Sequence, residues 1–473
     1  MWHRRRRVDM RAMTFIGVLG MVFSLYADEQ VYQAPHPEPT AEEVLIVELM
    51  NRYRANPVRE GTIILNRADG LPGFFWSQRN FTVDREMFRE EMDELTPAPP
   101  LVIDLVALKA ARQHSHYMIV NNMVGHNQKE GNPGFTGRSF SDRLRHVGFS
   151  GNPGAENAFR EAGNAWESHA GFIIDFGPGG PGGMQNGRGH RMNMVNSRFN
   201  VVGASAVPHG NRFSVTHKLG TMDGRFVGGV VYHDRNRNGF FDVGEEIAEA
   251  VVATDDGAVS VTTWRSGGYT LKLPHTNAAT VTITVGDLTA AKEIPAGSEN
   301  VHFSWAVPPA EDLAAADRLL AQVDAIPDDE RSAQRRRRPL LALWAASQQL
   351  TLDRPRQERI EALTADIANE VAASKAEVLA AIDDGDRRTI ASVMREAQRE
   401  WRGTVVGEWL EQANALAQAS DGVRSLEAAR EAGRTIDSSA VKQLRDNLQA
   451  ARREMQDPEL RQRFQALIDQ VGK

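Results

Sequence analysis

Apolar residues recur with helical spacing in two stretches of the N-terminal half. Across 41–55 they are Val44, Leu45, Val47, Leu49 and Met50, a helix with one face turned to a core. Thr40 precedes this run and Glu43 follows it by three positions, which makes a capping box. Asn56-Pro57 closes it. A second helix is expected over about 101–122, with Leu105, Leu108, Ala111 and Met118 on one face. Glycine is dense from 125 to 189, including GPGGPGG at 177–183. Alternating apolar and polar positions then predict strands at 201–207 and 212–219. Helices, a glycine-rich middle and closing strands describe an α+β domain over 41–222.

The pattern changes at 226. VGGVVYH, AEAVVATDD, AVSVTTW, GYTLKLP, ATVTITV and NVHFSWAV are short β-branched runs separated by turn residues, which predicts an all-β antiparallel sandwich over 226–308. From 310 to 473 alanine, leucine, glutamate, arginine and glutamine dominate. Ile360, Leu363, Ile367, Val371, Val378 and Ile382 keep helical spacing, as do Val393, Ala397, Trp401, Val405, Trp409, Ala413 and Leu416. An all-α bundle or set of helical hairpins is expected there, with the tryptophans in its core. The run RRRR at 335–338 reads as a solvated face.

Composition narrows the functions. The 473 residues carry a formal net charge of −7, which argues against nucleic acid as partner, because phosphate contacts need a basic surface. There is no cysteine, so disulfides, thiol catalysis and cysteine-bound zinc are excluded. At the N-terminus RRRR (4–7) precedes the apolar MTFIGVLGMVFSLYA (13–27) and then Asp28. This is the layout of a signal peptide over 1–27, cleaved near Ala27, with an uncleaved N-terminal anchor as the alternative reading. A Pro-rich linker, 28–40, follows. No later apolar run approaches the ~18 residues of a membrane span, so no membrane span remains after cleavage, and a secreted chain, periplasmic or extracellular, is expected.

DRNRNGFFDVGE at 234–245 is the sharpest motif. Asp234, Asn236, Asn238, Asp242 and Glu245 put side-chain oxygens at positions 1, 3, 5, 9 and 12. Gly239 stands at the tight turn, and Phe240 offers its carbonyl. Calcium takes six to eight hard oxygens, and this spacing wraps them around one ion. The flanks read as strands, not as the helices of an EF-hand. Together with WRSGGYTLKLP, GGVVYHDRNRNGFFDVGEEI resembles the B-type repeats of Gram-positive cell-wall adhesins over about 226–306. That resemblance implies a calcium-stiffened β-sandwich spacer without chemistry of its own.

A second resemblance is distributed over about 40–222. ELMNRYRANP, LKAARQHSHYM, GHN (125–127), SDRLRHVGF (141–149), AENAF (155–159), AWESH (165–169), RGHRMNMVN (188–196) and VVGASAV (201–207) follow the order of the CAP superfamily (cysteine-rich secretory proteins, antigen 5 and pathogenesis-related 1; SCP-like). The resemblance implies an α-β-α sandwich with a central cleft. It places His126 and His190 on the family's two cleft histidines and Glu156 on a cleft glutamate. The other family glutamate, three residues after a helix tryptophan, is replaced by His169, and Glu167 lies two positions early. Two function classes follow. One is a secreted binding module holding a small apolar ligand, a glycan or a peptide in the cleft, with the helical C-terminal region meeting a protein partner. The other is a hydrolase with zinc on His126 and His190 and Glu156 as general base. No HExxH or GxSxG accompanies the histidines, so binding is the expected class and no residue is assigned a catalytic role.

Overall fold

The computed structural model describes residues 31–34, 36–328, 333–402, 404–435, 437–455 and 457–472. The expected signal peptide, 1–27, lies outside the described residues. The chain forms two compact units, Met1–Val307 and Pro308–Lys473.

Among the described residues the first helix of the first unit is α1 (Ala41–Ala55). Its capping box forms as the sequence predicts: Thr40 Oγ1 accepts from Glu43 N and Glu43 Oε2 from Thr40 N. Pro57 does more than end this helix. It occupies the first turn of α2 (Pro57–Asn66), capped by Asn56, where its missing N–H is no loss. The helix α3 (Arg85–Asp93) follows. The expected helix at 101–122 begins later, because Val102–Ile103 form a strand, β1, and Asp104 caps α4 (Leu105–Val120) by accepting from Ala107 N. After α5 (Phe140–His146) come β2 (Asn152–Ala162), α6 (Ala165–Ile174), α7 (Gly189–Val195), β3 (Val201–His209) and β4 (Arg212–Thr221).

The sheet order is β1-β3-β4-β2, with β1 parallel to β3 and the other pairs antiparallel. Alternate residues of β3 meet different helices. Val202 and Ala204 share a core with Val44, Leu49 and Met50 of α1. On the other face a Cβ at Gly203 would stand 2.1 Å from the backbone of Ala107 and Leu108 in α4, and Ser205 bonds Ser115 at 2.9 Å. Helices therefore cover both faces, and β3 is buried from Val201 to Val207.

Residues 225–307 form two further sheets. One joins β5 (Arg225–Tyr232), β8 (Gly268–Leu273), β11 (Val301–His302) and β12 (Trp305–Ala306); the other has the order β10-β9-β6-β7, from β6 (Val251–Thr254), β7 (Ser260–Thr262), β9 (Ala279–Val285) and β10 (Leu288–Ile294). Val227, Val231, Tyr269 and Leu271 of the first share a core with Val252, Val281 and Ile283 of the second. Two expectations are corrected. The first sheet is not antiparallel throughout, since β11 and β12 both pair with β5 in parallel. Strand β10, LTAAKEI, was also absent from the sequence reading. Its Ala, Lys and Glu favour helix, and it is a strand because the tight turn at Gly286 (φ +56) folds it back on β9.

These sheets do not stand off as a spacer. Val44, Glu48 and Arg52 lie at i, i+4 and i+8 on α1, one stripe of the helix. Val44 abuts Gly268, where a Cβ would approach to 2.8 Å. Glu48 accepts from His302 Nε2 (2.8 Å) and Ser304 Oγ (3.0 Å). Arg52 lies under the ring of Phe240. Thr270 also donates to Ile103 O, and Asn300 to Pro100 O and Asn200 O.

The second unit contains α8 (Ala310–Asp324), α9 (Ala333–Ser347), α10 (Arg354–Asp384), α11 (Arg387–Glu400), α12 (Val405–Glu431), α13 (Ser438–Glu454) and α14 (Pro458–Gly472). Ile367, Val378, Trp401, Trp409, Leu416 and Phe464 meet in one core, which is where the sequence puts the tryptophans. The spacing from Val393 to Leu416 spans two helices, with Trp401 capping the first. Within the basic run, Arg337 pairs with Glu370 and Glu400 and covers the Trp401 ring.

Candidate functional site

The strand register places the first half of the site. Glu156 is on β2, and Lys218 on β4 is its direct cross-strand partner. Both side chains are buried and form an ion pair. Arg143, buried on α5, donates from Nη2 to both carboxylate oxygens at 2.9 and 2.7 Å. His126, in the loop after α4, donates from Nδ1 to Glu156 Oε1 at 3.0 Å. Burial would raise the Glu156 carboxyl, but the charge of Lys218, the His126 bond and Arg143 outweigh it and hold the group far below the ordinary carboxylate range. The same burial pulls Lys218 down to about 8. His114, beneath them, donates to Gly125 O and accepts from Gln128 Nε2, a neutral tautomer that suits its fall to about 3 by burial.

The second half is set by the end of α6. Asp175 takes the left-handed conformation there (φ +54), which a short polar side chain tolerates. Its buried carboxylate accepts from His190 N at 3.0 Å and His190 Nδ1 at 2.7 Å. Arg191 fixes α7 against the same helix end, donating to Ile173 O and Ile174 O, two of the carbonyls a helix terminus leaves open. The ring centres of His126 and His190 stand 6.4 Å apart. Each ring is held at Nδ1 by a buried carboxylate, and neither Nε2 has a hydrogen-bond partner among the described residues. Phe172 packs on His190 at 5.3 Å. Val124 and Met192, two residues from the respective histidines, are exposed apolar side chains.

Glu156, His126 and His190 are thus brought together, and the other two candidates are not. His169 faces α2, where it bonds Glu60 at 2.9 Å, fully buried. Glu167 accepts from Gly163 N. Both sit in the first half of α6, whereas Asp175 at its C-terminal end reaches His190. The sequence reading missed Asp175, Arg143, Lys218, His114 and His217. Arg143 and His114 stand inside quoted motifs; Asp175, in FIIDFG, carries no local signal. His217, fully buried on β4 against Phe172 at 4.6 Å, has no hydrogen-bond partner at either nitrogen among the described residues and is lowered to about 3 by burial.

The geometry tests zinc. With Zn–N about 2.0–2.1 Å, a ring centre lies about 3.2 Å from the metal, so 6.4 Å allows a shared ion only with the two nitrogens almost opposite. Among the described residues no group of three His, Cys, Asp or Glu side chains is placed to hold a metal. The donors do not fit a three-ligand catalytic zinc. The three carboxylates of the 234–245 loop, Asp234, Asp242 and Glu245, form no such group either; the donor set expected there adds asparagine oxygens and a carbonyl. Asp242 Oδ2 accepts from Asn236 Nδ2 (2.8 Å) and Asn238 Nδ2 (2.6 Å), Asp234 accepts from Asn238 N and Gly239 N, and buried Glu245 accepts from Arg235 N and Asp242 N. Arg237 and Gly239 take positive φ, which curls the backbone around these groups.

Residues 47–219 match the family model of the cysteine-rich secretory protein family, CAP, and this stretch is a CAP domain. Among solved structures the chain is similar to an extracellular protein containing a SCP domain from Bacillus anthracis str. Ames, with 20% identity, a TM-score of 0.21, and coverage of 28% of this chain and 37% of that one. The chain thus spans little more than a third of that structure's length. Comparison with curated proteins produced no match. Among the described residues no helix is long and apolar enough to cross a membrane.

Proposed function

We propose that the chain is an exported ligand-binding protein whose CAP domain receives a small ligand between His126 and His190. The observation that carries this reading is the pair of imidazoles, each fastened at Nδ1 to a buried carboxylate, so that both Nε2 atoms are left for a guest. Val124 and Met192 supply apolar flanks, which suits a small apolar ligand, a glycan or a peptide. A hydrolase is the weaker reading, because a general base must take up a proton and Glu156 is already saturated by Lys218, Arg143 and His126. The double variant His126→Ala/His190→Ala should lose ligand that co-purifies with the exported protein, read by native mass spectrometry. Wild-type peptide cleavage that the double variant abolishes would instead establish the hydrolase. Export itself predicts a mature N-terminus at Asp28, read by N-terminal sequencing; a chain still starting at Met1 contradicts it.

The 234–245 loop is read as a site for one calcium ion, with Asp234, Asn236, Asn238, Asp242 and Glu245 as side-chain donors and Phe240 through its carbonyl. Calcium at a hundred times its Kd should stabilise the first unit by about 2.7 kcal/mol. Asp234→Ala/Glu245→Ala should remove both the binding and the stabilisation. Equal unfolding of the wild-type first unit in calcium and in chelator rules the site out.

A further inference from the structure

We propose that the 234–245 loop regulates the CAP cleft: its middle residues are docked on α1, and cation binding there is coupled through α1 and α6 to the residues that hold His190. This rests on the calcium reading above. Phe240 and Phe241 follow Gly239 at the centre of the loop. Phe241 is 1% exposed and belongs to the same core as Val44, Leu49 and Met50 of α1, with its ring edge-on to Tyr232 at 5.8 Å. Phe240 lies 4.6 Å from the Arg52 guanidinium, within the range of a cation–π contact. The loop thus buries Phe241 in a core that Val230 and Tyr232 of β5 share with α1.

The contact continues inward without a gap. Arg52 Nε and NH2 each reach Glu60 at 2.7 Å, and Glu60 also takes His169 Nε2 at 2.9 Å. His169 is on α6. Three residues further along the same helix Phe172 packs on His190, and Asp175, the cap of that helix, holds the His190 ring. One ten-residue helix therefore touches Glu60, the partner of Arg52, at its middle and the cleft at its end. Filling the loop fixes the carbonyl of Phe240 as a ligand, and the Phe240 ring with it, so the position of Arg52 and the state of the loop are linked. Coupling of this kind is reciprocal: whatever the cation does to α1 and α6, their packing does to cation affinity.

The test uses the full chain, with calcium alone as probe. Calcium affinity is measured by titration calorimetry, and amide hydrogen exchange is followed on peptides covering 41–55 and 165–176, with and without calcium. In the wild type both peptides should gain protection on binding. Phe240→Ala keeps every oxygen donor, including the carbonyl, yet should weaken calcium binding about fivefold or more and abolish the gain in protection. Phe240→Leu preserves apolar cover but removes the ring above Arg52, and keeps the test valid if the alanine variant is poorly folded. Val243→Ala, exposed in the same loop, should match the wild type. Calcium binding with no change in either peptide overturns the coupling and leaves the calcium site standing. No calcium binding by the wild type removes both.

Discussion

Glu156→Gln is expected to destabilise the first unit by about 3–5 kcal/mol, the range for breaking a buried ion pair by removing one partner. The substitution keeps size and shape but leaves Lys218 and Arg143, each with a side-chain exposure of 0%, facing each other without an anion. Lys218→Met should cost less, because Glu156 keeps Arg143 and His126. The double variant Glu156→Gln/Lys218→Met should fall well short of the sum of the two, since groups in one network are not additive. Urea unfolding of the full chain, followed by hydrogen exchange on peptides from β2 and β4, separates the first unit from the helical one. A loss below about 1 kcal/mol for Glu156→Gln would place the pair with surface contacts and refute its role as the anchor of His126.

Acid should unfold the first unit at pH values where most domains are still stable. His114 and His217 are lowered by burial to about 3, against about 6.5 in an unfolded chain. Between these values the unfolded state binds more protons than the folded one, so stability is complete above pH 6.5 and falls as pH drops toward 3. At pH 5 each histidine has lost about 2 kcal/mol, or about 4 kcal/mol for the two. Glu60 adds to this lower down. Burial raises it, but its bonds to Arg52 and His169 bring it to about 2 from 4.5, so its contribution is present above pH 4.5 and disappears toward pH 2. His217→Phe should be better tolerated at pH 5 than at pH 7.5 relative to wild type, because neither nitrogen of His217 has a partner to lose. Equal urea midpoints for the wild-type first unit at pH 5 and 7.5 contradict this account.

Local signals carried much of the architecture. The capping box at Thr40 and Glu43, the alternation at Val201–Val207 and the glycine-turned loop around Gly239 are read from residues within a few positions of each other, and the structure forms each of them. The misreadings have the same origin. LTAAKEI has the composition of a helix and is a strand because β9 lies beside it. Val102 and Ile103 look like the start of a helix and become a strand because β3 offers them a parallel edge. Glu156 stands out in the sequence only through the AENAF motif, and its partner Lys218 is 62 positions away.

The sequence by itself determined the succession of α+β, β and helical stretches, the CAP motifs with His126, His190 and Glu156, and the donor spacing of the 234–245 loop, because periodicity, capping and loop chemistry act over a few residues. Only the tertiary structure decided which charges meet. It gave Glu156 to Lys218 and Arg143, His190 to Asp175, His169 to Glu60, and Phe240 to Arg52. These pairings join different elements, and the polar ones are selected by the cost of burying a charged or polar group without a partner, a cost that no local pattern records.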